Sequence, residues 1–314
     1  LPDRHACLDV KIRVLGSAAG GGFPQWNCNC RNCAGIRAGT LRGIRRTQSS
    51  IAVTGSAGVE SVLVNASPDI LTQLQAAPDL QPNRSLRDSA LAAIILVDGQ
   101  VDHTTGLYML RESGRPWPIW CTDSTFADLT QGNPVLRVLG HFCGVERRRI
   151  ELDREFTTPP VAKVRWRALP VASKPAPYSP NRDSPVSGDN LALVITDELT
   201  GRSAVYAPGL AAIDGRLWEA MQGAACVMVD GTFWTDDEMI RLGISRKRAQ
   251  DIGHLPQSGP GGMLEWLARL PAATRKMLIH INNTNPILDE DSAESAELRE
   301  RSVETARDGM EIVL

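Results

Sequence analysis

Short β-type runs recur along this 314-residue chain, and they constrain its fold more than any other feature. Ten are legible, at 10–15, 50–54, 61–65, 92–97, 118–121, 164–169, 191–196, 203–206, 225–230 and 276–281. Each is bounded by Gly, Pro, Asp or Ser, residues that end strands and make turns. Helical periodicity falls between them at 68–75, 104–112, 124–130, 211–221, 235–241 and 262–270. Asp123 or Ser124 is placed to cap the third of these helices. The early runs form hairpin-like pairs, while the later ones alternate with helices. This predicts a mixed α/β or α+β sandwich, not a doubly wound parallel sheet. The stretch 173–187, SKPAPYSPNRDSPVS, reads as a long loop, either a surface segment or a cover over a substrate. One domain over 1–314 is expected, with 1–9 a partly ordered N-terminal segment.

Composition narrows the function. Hydrophobic residues make up 42% of the chain, enough for a sizeable core, and 34 Lys and Arg nearly balance 36 Asp and Glu. A nucleic-acid partner normally demands a basic excess, so none is expected. The cluster Glu146-Arg147-Arg148-Arg149 reads as a solvated loop. No run approaches the ~20 apolar residues of a membrane span. The N-terminal stretch LPDRHACLDVKIRVLG lacks the apolar centre of a signal peptide. A cytoplasmic protein with no membrane partner is the expectation. Of seven cysteines, four are scattered, which does not make a secreted disulfide scaffold.

The other three cysteines, Cys28, Cys30 and Cys33, stand in the stretch WNCNCRNC. Thiolates at that C-x-C-x2-C spacing can wrap one tetrahedral zinc. A disulfide is the alternative, and an iron–sulfur cluster would want a fourth cysteine nearby. The zinc reading makes the cluster an anchor whose fourth ligand comes from elsewhere. GSAAGGG, just upstream, runs into Phe23-Pro24 and the cysteines, which are poor material for opening a helix. Its glycines therefore suit a tight backbone path near a site more than a phosphate cradle.

Three further places hold candidate ligands. Asp102 and His103 follow an apolar strand and precede a helix, where both can turn toward one metal; an N-cap followed by a polar first-turn residue is the alternative. His280 ends the last apolar run and is placed to project from a sheet rim. His254 lies in a Gly-His-Leu-Pro loop.

Taken together, these stretches resemble the metallo-β-lactamase superfamily, whose fold is a four-layer αββα sandwich of two mixed sheets flanked by helices. Its hallmark H-x-H-x-D-H, followed by Gly-Leu, is matched at Asp102, His103, Gly106 and Leu107. The first two histidines are replaced by Asp98 and Gln100. Tyr206-Ala207-Pro208-Gly209 stands where the family has its metal-bridging aspartate, and no histidine stands near 171–174. Asp102, His103 and His280 survive of the family's set.

GSAAGGGFPQWNCNCRNC, RTQSSIAV, DH-x2-GL, GHLP and HINNTNPI narrow the resemblance to the pyrroloquinoline quinone (PQQ) biosynthesis B family, with landmarks spread over 16–287. That resemblance implies iron- and O2-dependent hydroxylation of the tyrosine ring of a Glu-Tyr-derived peptide intermediate. Two imidazoles and one carboxylate match the facial triad of non-haem Fe(II) oxygenases. On this reading Asp102, His103 and His280 hold Fe(II), although other divalent metals compete for such a site. Cys28, Cys30 and Cys33 hold structural zinc, with Asn283, water or another residue as the fourth ligand. Asp98, Gln100, Asp230 and His254 orient ligands or handle protons, and Arg46 and Lys174 receive substrate carboxylates. A homodimer is compatible with the sequence. A zinc hydrolase and a non-catalytic PQQ carrier are the competing functions.

Overall fold

The computed structural model describes residues 9–56 and 58–314, so most of the expected N-terminal segment 1–9 lies outside the described residues. Two seven-stranded sheets carry the chain. The first comprises β1 (Lys11–Gly16), β2 (Ser50–Thr54), β3 (Ser61–Val64), β4 (Leu91–Ile95), β5 (Trp117–Cys121) and β6 (Val145–Arg149) in spatial order, with β14 (Glu311–Val313) outside β1. The second comprises β7 (Glu155–Thr157), β8 (Val164–Pro170), β9 (Leu191–Asp197), β10 (Ser203–Ala207), β11 (Cys226–Asp230), β12 (Arg275–Ile279) and β13 (Val303–Thr305), again in spatial order.

The expected division into early hairpins and later alternation is corrected. Each sheet contains both: β1–β2–β3 pair antiparallel and β3–β4–β5–β6 parallel, while β7 to β10 pair antiparallel and β10 to β13 parallel. The two halves thus repeat one plan, a meander followed by crossovers through helices.

Side-chain alternation builds the layers. Along β9, Leu191, Leu193 and Ile195 face the space between the sheets, and Ala192 and Val194 face outward. On β11, Cys226 and Met228 point inward while Val227 and Val229 point outward. Both faces are buried, which is why these strands read as unbroken apolar runs. Trp166 and Tyr206 fill the middle of the inter-sheet core. Helices Gly215–Gln222 and Met263–Ala268 cover the second sheet, and helices such as Ile70–Gln75 and Val135–Leu139 cover the first. The expected αββα sandwich results.

Three local expectations change. Arg147, Arg148 and Arg149 belong to strand β6, not a loop; a charged edge strand resists pairing with other chains. The helix after β5 is capped by the Thr122 hydroxyl, which accepts from the Thr125 N–H, and not by Asp123 or Ser124. A helix does open out of the cysteine cluster, Arg31–Ala38, with Cys30 as its N-cap. The stretch 173–187 is irregular, as expected, but it is fastened: Gln100 donates to the Lys174 carbonyl (3.0 Å), Ser173 to the Gly253 carbonyl (2.8 Å) and Tyr178 to the Gly99 carbonyl. No helix among the described residues is long and apolar enough to cross a membrane.

Candidate metal centre

β4 ends at Ile95, and after the turn through Asp98 the chain enters the short helix Val101–Thr104. Asp102 and His103 sit in its first turn. Gly106, just beyond, is required by close approach: a Cβ there would lie 2.1 Å from the Ser67 carbonyl oxygen. His280 follows β12 with φ +61°, a left-handed conformation uncommon for a residue with a side chain. That turn directs its imidazole across to the first half of the molecule, where Nε2 lies 3.2 Å from Asp102 Oδ2. His103 Nε2 is 3.9 Å from the same oxygen. The GSAAGGG turn passes close by, with a Cβ at Gly20 reaching to 3.3 Å from Asp102 Oδ2.

These donors fit a divalent cation. Ligands ~2.1 Å from a metal stand about 3–3.5 Å apart, close to the separations seen. His103 Nε2 is buried and has no hydrogen-bond partner, a cost that a metal bond would remove. The other ring nitrogen is fixed: Nδ1 lies 2.8 and 2.9 Å from the two Asp98 oxygens, so it carries the proton and leaves the Nε2 lone pair toward the site. Burial works against ionisation of Asp102, yet the imidazoles of His103 and His280 hold its carboxyl well below the usual carboxylate range. Burial also opposes charge on His103, but Asp98 and Asp102 outweigh it and push the imidazole up to about 9, so a metal binding at Nε2 would displace a proton from it.

His280 is oriented by Thr232, a residue the sequence did not mark. The Thr232 hydroxyl lies 2.6 Å from Asp230 Oδ1, 2.9 Å from His280 Nδ1 and 3.1 Å from His254 Nδ1. It has one proton, and the carboxylate is its nearest acceptor. Its oxygen therefore accepts from His280 Nδ1–H, which frees His280 Nε2 for a metal. His254 Nδ1 in turn lies 2.7 Å from Asp230 Oδ2. Burial opposes it, but Asp230 raises the His254 pKa, and His254 helps keep Asp230 low.

Asp230, His254 and His280 make a second grouping with donor atoms within 4.8 Å of one another. Asp230, near Gly209, also accepts the Leu210 N–H at 3.0 Å. Hydrogen-bond distances through Thr232 fill this second grouping, whereas Asp102, His103 and His280 face open space.

That space is a cavity of about 410 Å³ whose lining includes Asp98, Gln100, Asp102, His103, His254 and His280. Arg46 and Lys174 are not part of it, which corrects their expected place. Arg46 is buried, donating to Ser17 Oγ (3.2 Å) and the Ala306 carbonyl. Burial lowers its pKa to about 10 against the pull of Asp308. Lys174 offers its carbonyl to Gln100 and lines a separate cavity. Arg182 and Lys247 are the basic residues that do line the metal-facing cavity.

The three cysteine sulfurs converge within 4.8 Å. Asn283 closes the fourth side, its amide nitrogen 3.3 Å from Cys33 Sγ and 3.7 Å from Cys30 Sγ. A half-turn of that amide presents oxygen in its place, so the position fits a ligand or a donor to thiolate. Burial pushes Cys30 up to about 11, while a hydrogen bond from the Cys30 N–H lowers Cys28 despite burial. A zinc ion would supply the charge that lets all three ionise together. Hydrogen bonds tie this loop to the segment after β12: the Ala19 N–H donates to the Ile281 carbonyl (2.9 Å), and the Asn32 side-chain amide donates to the Asn283 (3.2 Å) and Asn285 (2.8 Å) carbonyls.

Comparison with known proteins places the chain in a family. Residues 60–281 match the family described as Beta-lactamase superfamily domain. Coenzyme PQQ synthesis protein B of Azoarcus sp. (strain BH72) is 61% identical, with 97% of this chain and 100% of that protein covered. The protein of the same name from Cupriavidus necator is 56% identical, over 97% of this chain and 100% of that one. The crystal structure of Zn(2+)-bound PqqB from Methylobacterium extorquens superposes with a TM-score of 0.89 at 37% identity, covering 97% of this chain and 100% of that one. A diphosphatase of the PhnP family shares the fold at 17% identity, with a TM-score of 0.66 and coverage of 98% and 97%. The chain belongs to the coenzyme PQQ synthesis protein B family, within the β-lactamase superfamily.

Proposed function

We propose that this member of the PQQ biosynthesis family hydroxylates the tyrosine ring of a Glu-Tyr-derived peptide intermediate, using O2 and Fe(II) held by Asp102, His103 and His280. The observation that carries the reading is the pair of buried imidazoles and one carboxylate, with both Nε2 atoms turned toward a single open cavity. Bound Fe(II) would supply the open coordination positions and one-electron chemistry that O2 requires.

The chain's own residues do the rest. Asp98 and Thr232 set the tautomers of His103 and His280. Phe233 and Ile252 offer apolar wall to a ring. His254, with Nδ1 bonded to Asp230, leaves Nε2 as the nitrogen available to exchange a proton with a phenol in the cavity.

Consumption of O2 by the Fe(II)-loaded protein, given Glu-Tyr peptide and a reductant, tests the reading. Uptake that depends on peptide, with hydroxylated tyrosine as product, is expected. Absence of both from protein with measured iron at the site would refute it. The second grouping, Asp230, His254 and His280, favours a zinc hydrolase as the other reading, since two cations could then share His280. Peptide or ester cleavage supported by Zn(II) alone would establish that activity.

A further inference from the structure

We propose that Arg182 and Lys247 form an anion-receiving subsite in the metal-facing cavity, which takes the carboxylates of a ring-bearing, amino-acid-derived ligand. The proposal rests on the reading of that cavity as a substrate site. It adds which side chains select the substrate and by what chemistry.

Charge accounting carries the argument. Every carboxylate in the cavity already faces an imidazole: Asp98 faces His103, and Asp102 faces His103 and His280. Asp230, behind the wall, faces His254. Arg182 and Lys247 line the same cavity, and neither has a carboxylate partner among the described residues. Other arginines of the second half differ. Arg248 pairs with Asp236 at 3.2 Å, and Arg216 pairs with Asp153 at 2.8 Å. Two uncommitted cations beside a metal-ligand set make a cavity whose missing charge is negative.

Arg182 is the better prepared of the two. Its guanidinium donates through Nη1 to the Pro175 carbonyl, and its backbone N–H donates to the Ser179 carbonyl at 3.1 Å. The loop that carries it is pinned to the metal-bearing segment by Gln100 and Tyr178. The remaining N–H groups of a fixed guanidinium can grip a carboxylate in a fork, at little entropic cost. Lys247 sits in an exposed, irregular stretch and acts as a movable point charge. Phe233, Ile252 and Pro177 supply apolar surface for a ring in the same cavity.

The test is calorimetric titration of the protein loaded with Zn(II), which is redox-inert, so that binding is read without turnover. The probes are Glu-Tyr and Gln-Tyr amide, which lacks both the side-chain and the terminal carboxylate. Unaltered protein should bind Glu-Tyr at least about ten-fold more tightly, the usual scale for a hydrogen-bonded charge. Arg182→Gln should remove most of that preference and leave Gln-Tyr amide unaffected. Lys247→Gln should cause a smaller loss that shrinks with added salt. Equal binding of the two probes, equal weakening of both by Arg182→Gln, or no binding of either would overturn the proposal. The two readings fail separately. Arg182-dependent binding without hydroxylation by the Fe(II) protein would sink the reaction and keep the subsite. Hydroxylation by Arg182→Gln at unchanged KM would do the reverse.

Discussion

Thr232 has one hydroxyl proton and, within 3.1 Å, a carboxylate, two imidazoles and a carbonyl. Its side chain therefore decides which nitrogen of His280 is free. Replacing it by Val keeps the volume and removes the acceptor, so His280 loses the partner that fixes its tautomer. Metal affinity at Asp102, His103 and His280 is expected to fall by about 10- to 100-fold, the usual cost of losing a partner behind a metal-binding histidine. Thr232→Ser should restore it. Competition with a chromogenic chelator measures this, and equal affinity in the Val variant would contradict the role. Asp98→Asn should have a similar effect through His103. At this scale the sequence was informative where chemistry concentrates. Asp102-His103 at a strand–helix junction and His280 at a strand end are visible as motifs. Thr232 is an ordinary residue two positions past a strand, and only the fold shows what surrounds it. Arg46 shows the converse: an arginine expected to receive substrate carboxylates is instead buried and donates to a backbone carbonyl.

Close packing around Gly106 holds the segment that carries the candidate ligands Asp102 and His103. Gly106→Ala puts a Cβ 2.1 Å from the Ser67 carbonyl, a backbone atom that cannot swing aside. The segment from Val101 to Leu110 must shift, at a cost on the scale of overpacking, about 1–3 kcal/mol, and metal binding should weaken with it. Thermal unfolding with and without metal reads both effects.

The helix Glu238–Arg241 gives a pH signature. Burial pushes Glu238 from its ordinary 4.5 up to about 6, even though Thr284 and the Trp234 N–H donate to it. A carboxyl raised in the folded state contributes stability that is fully present below 4.5 and lost as pH rises through about 6. On the order of 1–2 kcal/mol is at stake. Glu238→Gln should remove that part of the slope, as urea midpoints at pH 4.5 and 7 would show; parallel slopes would contradict it.

Ten strands were legible as elements because buried strands are apolar on both faces. β6, β7, β13 and β14 were not. They are the four edge strands, short or charged, VERRR, EFT, VET and EIV, whose pairing comes from neighbours already in place.

Across the whole molecule, the candidate metal site is split between halves that repeat one plan. Asp102 and His103 come from the first sheet and His280 from the second, so their meeting depends on how the sheets are held together. The cysteine loop is one such tie, joined by Asn32 and Asn283 to the segment after β12. Cys30→Ser should lose zinc, lower the unfolding temperature and weaken metal binding at the distant triad. Unchanged triad affinity in zinc-free Cys30→Ser would show that the two sites are independent. Four layers were legible from alternating elements and the family resemblance, whereas the near-symmetry of the halves was hidden by their unrelated side chains. The central claim is that Asp102, His103 and His280 hold an iron that serves ring hydroxylation. Its most direct test is mass spectrometry of Glu-Tyr peptide after reaction with Fe(II)-loaded protein under isotopically labelled O2. The account predicts one labelled oxygen on the tyrosine ring, absent with Zn(II) or with Asp102→Ala. Unlabelled product, or no hydroxylation by protein whose iron is shown to sit on those three residues, would contradict it.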